Sequence, residues 1–208
     1  TSPHIQKINE RFVYNNEEIG DEDLSKLLLE VEKINNNEPI TFFEILSAAF
    51  FYGAKKYSKN INLIEAGLFH RFDATNILKS NLASVITAVG LDHTDWLPKK
   101  ERTIDKIIFE KTCSLLNSKI IVSQQNSKEV LNKIKNSISN NQSEKIIFDD
   151  DFSYSFNENN FFYYEDKFSG LKLPMPNLEG QFQLSNVATA IATLRNINNL
   201  NISENSIK

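Results

Sequence analysis

Three short polar clusters hold the residues of this chain best suited to chemistry. Glu65 to Asn76 reads E-A-G-L-F-H-R-F-D-A-T-N, Gly90 to Leu97 reads G-L-D-H-T-D-W-L, and Glu110-Lys111 follows. The first two come directly after apolar, β-rich runs, and the third lies in a stretch of helical periodicity. Between them they offer a carboxylate, an imidazole and an ammonium group. Open α/β folds bind ligands at the carboxyl ends of their strands, so this placement predicts a metal and phosphate site there. Glu65 ends the run I-N-L-I-E and would leave a buried strand into a crevice, although an ordinary surface ion pair would look the same. His93 lies between Asp92 and Asp95. An imidazole that binds a metal needs a partner for its second nitrogen, but a loop histidine with no ligand fits the pattern too. Lys111 alone reads as a solvated helical lysine. Arg71 and Asp73 flank Phe72 in a predicted turn and could bind an anion and a polar ring, or pair with surface charges. Cys113 reads as a small buried apolar group, and Trp96 and Phe42 read as core.

The elements that must position these residues follow from periodicity. Asp21 to Ile34 predicts a helix capped by Asp21, with Leu24, Leu27, Leu28 and Val31 on one face. Thr41 to Tyr57 predicts a second, with Thr41 and Glu44 at capping-box spacing. Short strands are expected at Ile61 to Ile64, Ala83 to Val89, Lys119 to Val122 and Ile146 to Phe148. Helices are expected at Thr103 to Leu116 and Lys128 to Ile138. This alternation implies a parallel sheet with covering helices. Aromatic runs at Phe152 to Phe156 and Phe161 to Tyr164 around a polar turn predict a small antiparallel sheet. Gly180 to Ile197 returns to helix, and Ser203 to Lys208 starts another. The fold class is α/β, a three-layer sandwich with a mostly parallel central sheet and a small antiparallel sheet at about 145–175.

Composition narrows the function classes. The 208 residues are 40% hydrophobic and 24% charged, ordinary for a globular chain. A net charge of -4 argues against a non-specific nucleic-acid binder. No apolar run reaches membrane-spanning length, and the first residues have neither the basic start nor the apolar stretch of a signal peptide. One cysteine allows no internal disulfide and is compatible with a reducing cytoplasm. Neither G-x-x-x-x-G-K-[ST] nor G-x-G-x-x-G occurs, so no phosphate cradle of these kinds is encoded.

Taken in order, the motifs resemble the central domain of the dihydrofolate synthase/folylpolyglutamate synthase family, relatives of the Mur ligases. They are T-S-P-H (Thr1 to His4), N-E-R (Asn9 to Arg11), T-F-F-E (Thr41 to Glu44), E-x-G-L-x-x-R-x-D-A-T-N from Glu65, L-D-H-T-D-W-L from Leu91, T-I-D-K-I-I-F-E-K (Thr103 to Lys111) and L-E-G-Q-F-Q-L-S-N-V-A-T-A-I-A from Leu178. The resemblance implies an ATP-dependent ligase that activates the carboxylate of dihydropteroate or of a folate as an acyl phosphate and joins it to the amine of L-glutamate. It implies Mg2+ held by Ser2, Glu65 and His93, with His93 and a carbamylated Lys111 serving catalysis. Thr41, Phe42, Phe43 and Glu44, with Phe72, Asp73 and Ala74, would line the pterin end of the substrate, Asp73 as its polar anchor. Asn186 and Arg71 would serve the nucleotide. A cytoplasmic monomer is implied, with no nucleic-acid or membrane partner.

The chain departs from the family pattern at three places. G-L-G-G-R is Gly67-Leu68-Phe69-His70-Arg71 here, E-K-A-G is Glu110-Lys111-Thr112-Cys113, and Phe182 stands where a histidine precedes Gln183. The family's phosphate loop and its C-terminal domain are not among these 208 residues. The expectation is therefore of a partial domain, 1–208, that is inactive alone. A decayed, non-catalytic paralogue and a different Mur-type ligase are the alternatives.

Overall fold

Helix α1 (Asp21–Asn35) forms where Leu24, Leu27 and Val31 recur on one face. Its N-cap is Gly20 rather than Asp21: the Asp21 carboxylate instead accepts a 2.8 Å hydrogen bond from Asn9 Nδ2. Asp21, Glu22 and Asp23 still favour this end by opposing the helix dipole, and Asn36 closes the other end in a left-handed conformation. Helix α2 (Phe42–Ala54) has the expected capping box, Glu44 N donating to Thr41 Oγ1 (3.3 Å) and Thr41 N to Glu44 Oε2 (2.8 Å). These bonds hold the Glu44 carboxyl below its ordinary pKa.

The computed structural model describes residues 4–157, 161–198, 200 and 202–207. They divide into two compact units, Thr1–Ile77 and Leu78–Lys208. In the first, α1 and α2 pack on each other and on a short hairpin of β1 (Val13–Tyr14) and β2 (Glu17–Glu18). Tyr14 stacks between Phe50 and Tyr57 at 5.6 and 5.0 Å, and its hydroxyl donates to Phe50 O. Burial pushes that hydroxyl's pKa up to about 12. A Cβ on Gly53 would collide with the Tyr14 ring, so glycine is needed there for close approach.

The second unit carries a parallel sheet ordered β3-β4-β5, from Ala83–Ile86, Lys119–Val122 and Glu144–Ile147. Helix α3 (Ile104–Thr112) links β3 to β4, and α4 (Lys128–Ser137) links β4 to β5. α3 and α4 pack together and bury Ile107, Ile108, Leu131 and Ile134. The opposite face of β4, through Ile121, joins a core built with α5 (Phe182–Asn196). That core also takes in an antiparallel sheet of β6 (Phe152–Phe156), β7 (Phe161–Asp166) and β8 (Gly170–Pro174). The fold class is the expected α/β one. α6 (Glu204–Ile207) is the last described element. None of the described helices is long and apolar enough to cross a membrane.

Several expectations need correction. Ile61 to Ile64 is not a strand; among the described residues it pairs with none, and Leu63 is 96% exposed. A short apolar run becomes a strand only beside a partner ladder. β3 and α3 both end earlier than periodicity implied, at Ile86 and Thr112. Trp96 is 72% exposed and Phe42 is also exposed, so neither is core, and Cys113 is exposed at the C-cap of α3.

One buried charge ties the second unit together. Asp166, at the end of β7, accepts from Tyr164 Oη (2.9 Å) and from the backbone N–H groups of Phe168 and Ser169, and it pairs with Arg195 Nε of α5 at 3.2 Å. Its side chain is 2% exposed. Removing one partner of such a pair strands the other. Asp166→Ala is therefore expected to lower stability by about 3 kcal/mol in urea unfolding. Asp105→Ala, which breaks an exposed pair with Lys133, should cost less than about 1 kcal/mol.

Candidate functional site

In the first unit, the segment from Gly67 to Asn76 is a self-bonded loop organised by Asp73. Asp73 Oδ2 accepts from Gly67 N (2.8 Å), and Oδ1 accepts from Thr75 N (2.9 Å) and Thr75 Oγ1 (2.5 Å). Asp73 N bonds to His70 O, and Asn76 Nδ2 bonds to Arg71 O. The Phe43 ring closes over the loop: a Cβ on Gly67 would stand 3.2 Å from that ring and 2.8 Å from Asp73 Oδ2. Two groups of residues with an expected substrate role, the start of α2 and the Phe72 turn, thus meet at Gly67. Phe72 is 85% exposed, with the Arg71 guanidinium stacked 4.3 Å over its ring. Thr41 and Glu44 are exposed and occupied with capping, and Ala74 is half-buried.

Phe69 and His70, which replace two glycines of the resembled pattern, are half-buried, and neither has a left-handed backbone. The turn as folded here requires no glycine at either position. Burial pulls the His70 pKa below its ordinary value, with the Asp73 carboxylate opposing the shift. Glu65 lies just before the loop, exposed and outside any strand.

N-E-R, read only as a motif, turns out to fasten the segment from His4. Both Glu10 oxygens face backbone: Oε2 accepts from Ile5 N (2.7 Å), and Oε1 from Gln6 N (2.7 Å) and Lys7 N (2.8 Å). Arg11 Nε donates to His4 Nδ1 at 3.1 Å, and Asn9, buried, ties the turn to Ile19 O and Asp21. A glutamate three residues after the turn's N-cap was the available signal. Ser2, expected as a metal ligand, lies outside the described residues.

In the second unit His93 follows β3 in a left-handed conformation (φ 51°) that few non-glycine residues adopt. It is exposed, with Asp92 Oδ2 4.0 Å from its Nε2. The chain then returns through short turns, where Arg102 bonds to Leu97 O (3.1 Å) and pairs with Asp95 (3.5 Å). Lys106 bridges Glu101 (3.2 Å) and the buried Glu110 (3.0 Å), tying these turns to α3. Lys111 is half-buried in the last turn of α3, roughly 10 Å along the helix from its start at 1.5 Å per residue. Asn186 is exposed on α5 and donates to Gln183 Oε1 at 3.1 Å. A surface depression between α3 and α4, lined by Asp105, Ile108, Lys133, Asn136 and Ser137, holds none of the expected site residues.

Among the described residues, no three His, Cys, Asp or Glu side chains cluster to hold a metal ion. The donors proposed from sequence are single groups: a hydroxyl, a carboxylate and an imidazole. Such a set suits a hard divalent ion that keeps water as its other ligands.

Two outcomes follow from these loops. Asp73→Ala should speed amide exchange at Gly67 and Thr75 by an amount matching about 2 kcal/mol of lost charge-assisted hydrogen bonding, while Phe72→Ala leaves both unchanged. The Glu10 bonds lower its pKa to about 2 from 4.5. Their contribution is complete above about pH 4.5 and is lost as pH falls through about 2. Amide exchange of Ile5 to Lys7 should therefore lose protection across that window in the wild type, and show no such transition in Glu10→Gln.

The whole chain has recognisable counterparts, although no family model matches it. It is 31% identical over 198 residues to the dihydrofolate synthase/folylpolyglutamate synthase of Buchnera aphidicola subsp. Acyrthosiphon pisum, a match that covers 93% of this chain and 45% of that one. Its fold superposes on E. coli FolC in complex with DHPP and ADP with a TM-score of 0.85 at 28% identity, covering all of this chain and 47% of that one. It also superposes on a bifunctional folylpolyglutamate synthase/dihydrofolate synthase from Yersinia pestis, complexed with AMPPNP and a Mn ion. That match has a TM-score of 0.84 at 25% identity and covers 100% and 48% of the two chains. The chain thus spans less than half the length of these relatives. In sequence and in fold it is a relative of the dihydrofolate synthase/folylpolyglutamate synthases and corresponds to part of them.

Proposed function

We propose that this chain is the central part of an ATP-dependent ligase that joins L-glutamate to dihydropteroate, to folates, or to both. The observation that carries this reading is the match of the whole chain to a fold that in E. coli FolC binds DHPP and ADP, with the motifs in order along it. In the proposed reaction the substrate carboxylate takes the γ-phosphoryl group of ATP, ADP leaves, and the glutamate amine displaces phosphate from the acyl phosphate. Mg2+, when bound, would neutralise charge developing on the phosphate oxygens. Ser2, Glu65 and His93 are the proposed donors to it. Lys111 is proposed, after losing a proton to water, to add to CO2 through its neutral Nζ and release a second proton, so that a carbamate anion replaces a cation. The exposed Phe72 ring and the start of α2 are proposed to face the pterin, while Asp73 keeps their loop in shape. Asn186 and Arg71 are assigned to the nucleotide. The proposed setting is a cytoplasmic monomer.

A second reading, a paralogue that keeps the fold without the activity, is favoured by one observation, the Phe69-His70 pair in the turn. Complementation separates the two. The gene encoding this chain, with its in-frame flanking sequence, is placed in a bacterial strain lacking dihydrofolate synthase, beside a Glu65→Ala version. Growth with the first and none with the second is the expected result; no growth despite good expression of the first favours the paralogue. The 208 residues hold no G-x-x-x-x-G-K-[ST] loop, so purified on their own they are expected to show no folate-dependent ADP release.

A further inference from the structure

His93 sits four residues past Val89, and one side chain from the neighbouring strand governs how that stretch leaves the sheet. Gln125 follows the end of β4, and its amide reaches across to the exit from β3. Oε1 accepts from Val89 N at 2.9 Å; Nε2 donates to Thr87 O at 3.2 Å and to Ser123 O at 3.0 Å. One orientation of the amide satisfies all three partners, because an acceptor faces the N–H and donors face the carbonyls. Val89 and Ser123 are buried, so these backbone groups have little access to water as a substitute. The bonds to Val89 and Thr87 span 36 and 38 residues of sequence, which makes them tertiary fastenings, while the bond to Ser123 O is local.

The other side of the loop is already held. Arg102 grips Leu97 O and Asp95, and Trp96 N bonds back to His93 O at 3.1 Å. Before His93 the chain passes through Gly90, Leu91 and Asp92, and Gln125 is the side-chain clamp at that end. A left-handed His93 needs both flanks fixed, since this conformation is disfavoured for a residue with a side chain. We infer that Gln125 is a positioning residue: it fixes the start of the loop that presents His93 for metal binding. This inference rests on the proposed role of His93 as a metal ligand.

The test uses the 208-residue chain labelled with 15N and with 13Cε1-histidine. Its three histidines, His4, His70 and His93, give three ring signals, assigned with His93→Gln. The probe is Mn2+, read by paramagnetic broadening. In the wild type, His93 should broaden at lower Mn2+ than His4 and His70. Gln125→Met removes every bond of the clamp. It should raise Val89 amide exchange about tenfold, the scale of one lost hydrogen bond. It should also shift the His93 signal alone, and raise several-fold the Mn2+ needed to broaden it. Gln125→Glu guards against misfolding of that variant: it keeps the acceptor for Val89 but sets a carboxylate against two carbonyls, so it should move His93 with less effect on Val89. Unchanged His93 shift and Mn2+ response in both variants would overturn the role of Gln125 alone. Absence of selective broadening in the wild type would instead sink the metal reading of His93, and with it the functional part of this inference.

Discussion

Strand β4 is the constraint on which the second unit depends. It pairs with a parallel neighbour on each side, and Ile120, Ile121 and Val122 are fully buried in succession. A strand buried on both faces reads as a continuous apolar run rather than an alternating one. Each such side chain contributes roughly 1.5–3 kcal/mol of burial. A slip of one residue would swap Ile121 with its neighbours between the α5 core and the opposite face, so the register is held firmly. That register pairs Ile86 with Val122 and Val122 with Ile147. The three strands end together, and the stretches that follow them leave from one edge side by side. Gln125 can reach the His93 stretch only because of this.

Loop geometry depends on a second device, seen at Glu10, Asp73 and Asp166 among others: a carboxylate folded back onto its own backbone. Glu10 takes three N–H groups, Asp73 takes two with a hydroxyl, and Asp166 takes two with a phenol and a guanidinium. Charge-assisted bonds of this kind are about twice as strong as neutral ones. They outweigh exposed pairs such as Lys26–Glu22 at 3.7 Å, which contribute only a few tenths of a kcal/mol. An acid in the candidate site thus has a structural task of its own: Asp73 holds its loop through both carboxylate oxygens.

What the sequence made legible was local and periodic. The Thr41–Glu44 capping box, the α1 face, the β4 run and the aromatic hairpin all appear where pattern placed them. Each is decided by neighbours a few residues away. The misses concern partners. Ile61 to Ile64 has the composition of a strand but no ladder beside it among the described residues. Asp21 is drawn from capping by Asn9, twelve residues distant. The exposure of Trp96 and Phe42 follows from where their elements face, which composition does not specify. Gln125 carried no signal, because an amide that joins two strand ends looks in sequence like any polar residue after a strand. His93 follows a strand as the pattern placed it, Glu65 follows none, and what fastens the stretches around them left no mark in the sequence.

The Phe69-His70 pair shows how the two kinds of information combine. Sequence comparison marks it as a loss, because two glycines of the pattern have gained side chains. The backbone locates the steric demand elsewhere: Gly67 is the position where a Cβ would meet both Asp73 and the Phe43 ring, and it has remained glycine. Residues 69 and 70 adopt ordinary backbone and half-bury their side chains without forcing the turn open. The substitution therefore changes what fills the space beside Asp73 rather than whether the loop can form. A histidine held towards its neutral form there adds a polar, shape-bearing group where the resembled pattern has none. That argues for an altered substrate contact ahead of a collapsed loop. The fastening of His93 lies in the other unit of the chain and uses none of these residues.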